Sequence, residues 1–395
     1  LLPDEFAQMI HGIRRVEESM GSSGERSISQ GEMMNREVLA KSLVASCDVP
    51  AGTEITEAMV GIQSPGQGLQ PNRLADLIGK TLPVSKAAGD FFFPSDLETP
   101  AATPRAYRFQ HRFGLPVRYH DIESFAASSN LDLVEIHLSY KDLEINLDEV
   151  LPTKQPIGLV VHAPELFAGD HTLDLCSADG DYRRHSIAEL QRVVDISRDL
   201  RSRFDCPDPV LLVTNVGGFS EHHHLERADL QPLRQRLIES LQQINTSDEV
   251  EIIPQTMPPF PWHFGGQRYH NLFVDTDFIE EFCKGTGMRV CLDASHSKLA
   301  CTHLNASFSG FLRAILPFTA HLHLADAKDV DGEGLQIHDG EIDWVQLFAL
   351  MGQLAPEASF IPEIWQGHKN NGEGAWLALE RLEGCVDLSQ QRQVA

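Results

Sequence analysis

The sequence predicts an α/β protein, a (β/α)8 barrel filling the larger part of the chain and preceded by a small β-rich domain. Two observations carry this. From residue 113 to about 385, eight short apolar runs alternate with amphipathic stretches of helical period, as parallel strands buried on both faces and joined by helices do. Between residues 38 and 98 the pattern changes to short β-prone pieces broken at close intervals by turn residues, which suits a compact β domain. An open doubly wound sheet is the alternative for the longer region, and eight strands alternating with helices favour the barrel.

Taken in order, residues 4–20 place Phe6, Met9, Ile10, Ile13 and Val16 on one side of a helix, and the polar stretch GSSGERSISQGE follows it. Residues 1–36 are assigned to this helix and linker. The β-rich domain takes residues 37–98, where SLVASCDV, EITEAMVGI and KTLPVSKA are separated by PAGTE, SPGQG and AAGD. ETPAATPRAY has linker composition, so residues 99–112 are a linker and 113–385 the barrel, with 386–395 as a tail. The barrel runs are LPVRYH, LDLVEIHL, IGLVVHA, PVLLVTN, VEIIPQTM, MRVCLDAS, HLHLADA and SFIPEIW. SIAELQRVVDISRDLRSRF and ADLQPLRQRLIESLQQI are intervening helices. No G-x-G-x-x-G follows the first run and no Walker A sequence occurs, which counts against a nucleotide fold.

Composition narrows the partners. The chain of 395 residues has 57 acidic against 32 basic side chains, a formal charge of −25, which repels phosphate backbones and anionic lipid. Neither nucleic acid nor a membrane is expected as a partner. Seven cysteines without a C-x-x-C spacing read as reduced thiols, so the expected compartment is the cytoplasm. The start, LLPDEFAQMIHGIRRVEESMG, is expected to be cut from a longer polypeptide.

Barrel chemistry sits where strands end and loops begin, and here those positions are acidic and rich in histidine. Strand 2 offers Glu135 and His137, strand 3 His162 with Glu165 beyond, strand 5 Gln255, and strand 6 Asp293 and His296. Strand 7 offers His321, His323 and Asp326, with Asp331, Glu333 and His338 in its loop, and strand 8 Glu363 with His368 beyond. Asp293, His323 and Glu363 form a mixed oxygen and nitrogen set suited to Mn, Mg, Fe, Co or Zn. His321 and His323 are assigned to opposite faces of strand 7. The run EHHHLER after strand 4 reads as a solvated surface. The loop MPPFPWHFGGQRYHN combines Trp262 and Arg268, which suits a sugar face stacked on an aromatic ring with a cation for a phosphate or carboxylate; it also reads as a rigid loop packing its own aromatics.

Two resemblances follow from these motifs. LPDEFAQMIHGIRRVEESMGS, NREVLAKSLVASCDVPAGTEITEAMV and SPGQGLQPNRLADLIGK resemble the C-terminal part of sialic (nonulosonic) acid synthases, the last barrel helix and then the antifreeze-like SAF (β-clip) domain. In that family an Arg before a Pro-Gly caps a partner subunit's sugar site; here Ser64 precedes Pro65. LDASHS, HLHLADAKD, HDGEIDW and PEIWQGH resemble the xylose-isomerase-like TIM barrels, a group of sugar isomerases, epimerases and endonuclease-IV-type (AP-endonuclease-2) phosphodiesterases. The epimerases' pattern implies Asp293, His323 and Glu363 as ligands, His296 on substrate and, where a ligand glutamate is expected, Gln255 as a weaker fourth ligand.

An amide coordinates through its oxygen but is no base. With Gln255 in that place, Glu363 is the expected base and Glu135 its substitute partner, while His162, Trp262, Arg268 and Lys328 are assigned to substrate. The activity expected is a metal-dependent isomerisation or epimerisation of a sugar or sugar phosphate, in a synthase-related polypeptide of surface-polysaccharide biosynthesis. The alternatives are a non-catalytic sugar- or partner-binding module and a metal-dependent hydrolase, for which His162, Asp326, Asp331 and Glu333 resemble the multi-zinc arrangement of the phosphodiesterase branch. The resemblance implies the synthase barrel of the same or a partner polypeptide as a partner, and a homodimer.

Overall fold

Parallel strands that alternate an apolar inner residue with an apolar outer one need cover on both faces, and closing the sheet on itself provides it. The computed structural model describes residues 2–21, 30–98, 102–221, 223–260 and 268–394. Its barrel strands are β1 (Gly114–Val117), β2 (Leu133–His137), β3 (Gly158–His162), β4 (Val210–Thr214), β5 (Val250–Pro254), β6 (Val290–Asp293), β7 (Thr319–Leu324) and β8 (Ser359–Pro362). β1 to β5 pair in sequence order, as do β6 to β8, all parallel. Parallel bridges from Gln255 to Cys291 and from Phe113 to Phe360 join the two arcs, so the closed barrel forms.

The register decides what the pocket receives. Leu133, Val160, Val213, Ile253, Cys291, Ala320 and Ile361 pack together as an apolar floor inside the barrel. Val134, Ile136, Val161 and Leu292, one residue along, join the separate core beneath the helices. Because strand side chains repeat with period two, the next inward residue on four strands that contribute to the floor is Glu135, His162, Asp293 or Glu363.

Helices cover the outside, among them Gly180–Ser202, capped by Asp179, and Thr276–Thr286, capped by Asp275. The last helix runs on to Val394, so residues 386–394 continue it and are not the separate tail expected. In the smaller domain Ser42–Ala45 pairs antiparallel with Val60–Gln63, over a core of Leu43, Ala45, Val49, Ile55, Leu69, Leu77, Leu82 and Phe92. Pro3–Met20 is helical as expected, and its face of Phe6, Met9, Ile10, Ile13 and Val16 is solvent-exposed. A second helix, Gln30–Leu39, leads into the β domain; its polar, weakly periodic sequence gave no signal.

Asp326 is corrected from the sequence reading. Fully buried, it accepts hydrogen bonds from the backbone of Ala327, His338 and Ile342 and from Trp344 Nε1 at 2.9–3.0 Å. All its lone pairs are spent tying the loop after β7 to the outer helices, which removes it from any metal cluster. Asp326→Ala leaves these donors without their acceptor, so urea denaturation is expected to show a loss of about 3 kcal/mol, the usual scale for breaking a buried charged network.

Candidate metal and substrate site

At the carboxyl end of the barrel a cavity of about 620 Å³ is lined by residues from several strands, including His137, His162, Gln255, Asp293, His296 and Glu363. Asp293, His323 and Glu363 each turn one ligand atom inward, all within 4.8 Å of one another. His323 Nδ1 lies 2.7 Å from Glu363 Oε2 and 3.8 Å from Asp293 Oδ2. The Gln255 amide nitrogen stands 3.2 Å from Asp293 Oδ2 and 3.1 Å from His323 Nδ1, so the residue expected as a weaker ligand is at the cluster, and turning its amide over would present the oxygen.

The two nitrogens of His323 face different neighbours. Its Nε2 donates to Glu135 Oε2 at 3.1 Å and its Nδ1 faces Glu363 and Asp293. Burial opposes a charge on the ring, yet Glu135 and Glu363 help to raise it well above the ordinary imidazole range, so without a cation Nδ1 holds a proton toward Glu363. Acceptors gathered in this way repel one another unless a proton or a cation lies among them. Two carboxylates and an imidazole suit a divalent cation of the hard to borderline kind, and the donor set fits one.

Glu135 and its three imidazoles lie beneath. His137 Nε2, His321 Nε2 and His323 Nε2 approach its oxygens to 2.9, 2.8 and 3.0 Å, and Ser359 Oγ meets His321 Nδ1 at 2.7 Å. The assignment of His321 and His323 to opposite faces is therefore wrong: two residues apart on a strand, they share a face, and both meet Glu135. Glu135 is fully buried and does not line the cavity, which places it behind His323 and away from any substrate.

Charge is distributed unevenly. Burial alone would raise the Glu135 carboxyl, but His323, His137 and His321 outweigh it and hold it well below the usual carboxylate range. Glu363 is likewise held low against burial by His323, with His137 and His162 adding to it. Asp293 goes the other way, pushed up to about 6 by burial despite His296, with Glu363 adding repulsion. His296 has acceptors at every nitrogen: its backbone N–H donates to Asp293 Oδ1 at 2.8 Å, Nδ1 meets the Thr256 carbonyl at 2.9 Å and Nε2 meets Glu333 at 3.0 Å. Burial opposes its charge, yet Asp293 and Glu333 raise it to about 10, a fixed imidazolium in the wall. His162, stacked on His137 at 4.7 Å, is lowered by burial and by His137.

The remaining expected residues scatter. His162 lines the cavity and its Nε2 lies 3.4 Å from Gln255 Oε1. Arg268 stacks over Phe219 at 5.7 Å and Lys328 is exposed on the strand Asp326–Lys328; neither lines the cavity. Trp262 lies outside the described residues. Glu333, expected from the loop after strand 7, lines the wall, and sequence reasoning missed Arg118 and Trp365 there. Arg118 donates to the His137 carbonyl at 2.8 Å and pairs with Asp142; a cation ending the first strand was the available signal.

The family described as xylose isomerase-like TIM barrel matches residues 124–383, and the SAF domain matches residues 40–98. The N,N'-diacetyllegionaminic acid synthase of Legionella pneumophila is 28% identical over 87 residues, 22% of this chain and 24% of its own length. The pseudaminic acid synthase of Campylobacter jejuni is 33% identical over 93 residues, 24% and 26% of the two. These relatives are homologues at the SAF region, and the chain spans about a quarter of the length of the curated relatives it matches. A solved D-tagatose 3-epimerase-like protein superposes with a TM-score of 0.53 at 18% identity, over 72% of this chain and all of that one, which shows a shared fold.

Glu135→Gln keeps the shape behind His323 and removes the charge that orients it. Partners of this kind are worth about 10- to 100-fold in metal affinity, and titration of the purified chain with Mn²⁺ is expected to show a loss in that range.

Proposed function

This chain belongs to the xylose isomerase-like TIM barrel family, and from that premise we propose that its pocket binds a sugar or sugar phosphate with a divalent cation and moves a proton at the carbon beside the carbonyl. The observation that carries the reading is the exposure of one carboxylate. Glu363 is 32% exposed at its side chain, against 5% for Asp293 and none for Glu135. Glu363 is therefore the one carboxylate of this trio that can meet a substrate carbon.

Asp293, His323 and Glu363 would hold the cation, with Gln255 completing the set. When bound, it supplies polarisation of the substrate's oxygens. Glu363, ionised over the whole neutral range, accepts the proton, and the fixed charge of His296 draws the negative oxygen that develops. Arg118 at the wall suits a phosphate or carboxylate. A base on the other face would stand near Gln255, which cannot serve. Delivery by Glu363 alone keeps the proton on one face, which supports aldose–ketose isomerisation through an enediol over two-base epimerisation. The SAF homologues support a setting in nonulosonic acid synthesis, with a synthase barrel as partner and a homodimer as assembly.

Elemental analysis of the purified chain beside an Asp293→Ala/His323→Ala variant comes first; about one equivalent of metal per parent chain, absent from a folded variant, is the expected result. The metal-loaded chain is then incubated in deuterated water with a panel of ketoses, aldoses and their phosphates, and deuterium at the carbon beside the carbonyl is read by NMR. Glu363→Gln is expected to lower that exchange at least ~100-fold, the scale of a lost general base, with circular dichroism unchanged. Gln255→Glu is expected to tighten metal binding and to open exchange on the second face. The neutral Gln255 also favours a second reading, a non-catalytic sugar-binding module; ligand binding without any deuterium incorporation would establish it in place of the first.

A further inference from the structure

Glu363 heads a segment, residues 363–375, that leads through a non-helical kink at Asn370, Asn371 and Gly372 into the long part of the last helix. One side of it gives Glu363, Trp365 and His368 to the cavity. The other side meets the SAF domain. Glu37 Oε2 accepts from Gln366 Nε2 at 2.7 Å, and Glu37 Oε1 pairs with Lys369 Nζ at 2.8 Å. Ser95 Oγ accepts from Asn370 Nδ2 at 2.8 Å and donates to Glu373 Oε2 at 2.8 Å.

Part of this shape is not a local preference. Asn370 and Asn371, at φ of +49° and +57°, are of the type that adopts the left-handed region readily, but Gln366, at +60°, needs its surroundings to hold it there. Glu37 is itself fixed. Its carbonyl accepts from Gly66 N at 2.9 Å, and a Cβ on Gly66 would stand 2.2 Å from the Arg36 carbonyl oxygen, so only glycine permits the approach. The Ser64–Pro65–Gly66 turn thus packs against the helix that presents Glu37. Without the Arg that the synthase resemblance leads one to expect there, the turn supports a contact within its own chain.

We propose that Glu37 is a positioning residue, through which the SAF domain braces the loop after β8 so that Glu363, Trp365 and His368 face the pocket, and thereby sets the barrel's affinity for its cation. The affinity part rests on the reading of Glu363 as a ligand; the bracing part does not.

The test compares the full chain with Glu37→Ala and Glu37→Gln by hydrogen–deuterium exchange and by Mn²⁺ titration. In Glu37→Ala, exchange within residues 363–375 is expected to rise about tenfold, as a local opening would, while peptides from β2 to β6 keep their protection. The Mn²⁺ dissociation constant is expected to rise about tenfold, the low end for a residue acting through a ligand. Glu37→Gln keeps an acceptor for Gln366 but loses the charge facing Lys369, so it should fall between the two. Unchanged protection in residues 363–375 overturns the proposal. Faster exchange throughout the barrel also overturns it, because Glu37 would then be a general stability contact. If the parent binds no Mn²⁺, the metal reading fails and the exchange data alone decide the bracing.

Discussion

A carboxylate buried at the centre of the barrel constrains everything around it. Removing an ionised Glu135 from water costs several kcal/mol even after relaxation, and the protein surrounds it with three imidazoles at 2.8–3.0 Å. His137 stands two residues along the same strand, but only closure of the barrel brings His321 and His323 to Glu135, since β2 and β7 are not neighbours in either arc of the sheet. Once Glu135 holds Nε2 of His323, the other ring nitrogen is left to the cluster, 2.7 Å from Glu363 and 3.8 Å from Asp293. The tautomer of His323, and with it the geometry of the ligand cluster, follows from a residue that never reaches the cavity.

Asp293 ties the site to the fold in a second way. Its Oδ1 caps the helix Ala294–His303 by accepting from the His296 backbone, and its Oδ2 is left to the cluster. A helix cap contributes about 1 kcal/mol, so this carboxylate serves stability and, on the proposed reading, the cation as well. The same turn brings His296 over the cavity, where Thr256 and Glu333 keep both ring nitrogens as donors. The positive charge at the wall is thus built from a backbone carbonyl, a loop carboxylate and a cap, which explains why it does not depend on a lysine or arginine.

Much of this was legible because strands repeat with period two. The apolar runs located the strands, and the polar residue ending each run located Asp293, His162, Gln255 and Glu363 in the cavity wall. What failed was geometry that the runs do not encode. His321 was placed on the wrong face though its spacing from His323 puts the two together. Glu135 looked like a spare base, and only closure across the barrel shows it sealed beneath the imidazoles. Glu333 meets His296 through the fold of the loop after β7, and Glu37 meets Gln366 across 329 positions of sequence; neither contact has a local signature. Arg268 and Lys328 were chosen for charge in a promising loop, and the loops carry them elsewhere.

The neutral Gln255 invites the idea of an abandoned site, and the charge arrangement argues against it. An abandoned site has no use for an imidazole and two carboxylates converging in a wall where Asp293 is nearly dry. Each such group loses hydration, and their mutual repulsion grows as the surrounding dielectric falls. Replacing any of them by a neutral side chain would relieve that, as Gln255 does for its own position. With Gln255 neutral, the cluster of Asp293, Glu363 and His323 would present two negative charges to a divalent cation that displaced the His323 proton. An added glutamate at that position would bring a third, in reach of an Asp293 that burial and Glu363 already push upward. On the proposed reading, the amide would balance the cluster for a single cation, at the loss of a second base, and leave the chemistry of the pocket to Glu363.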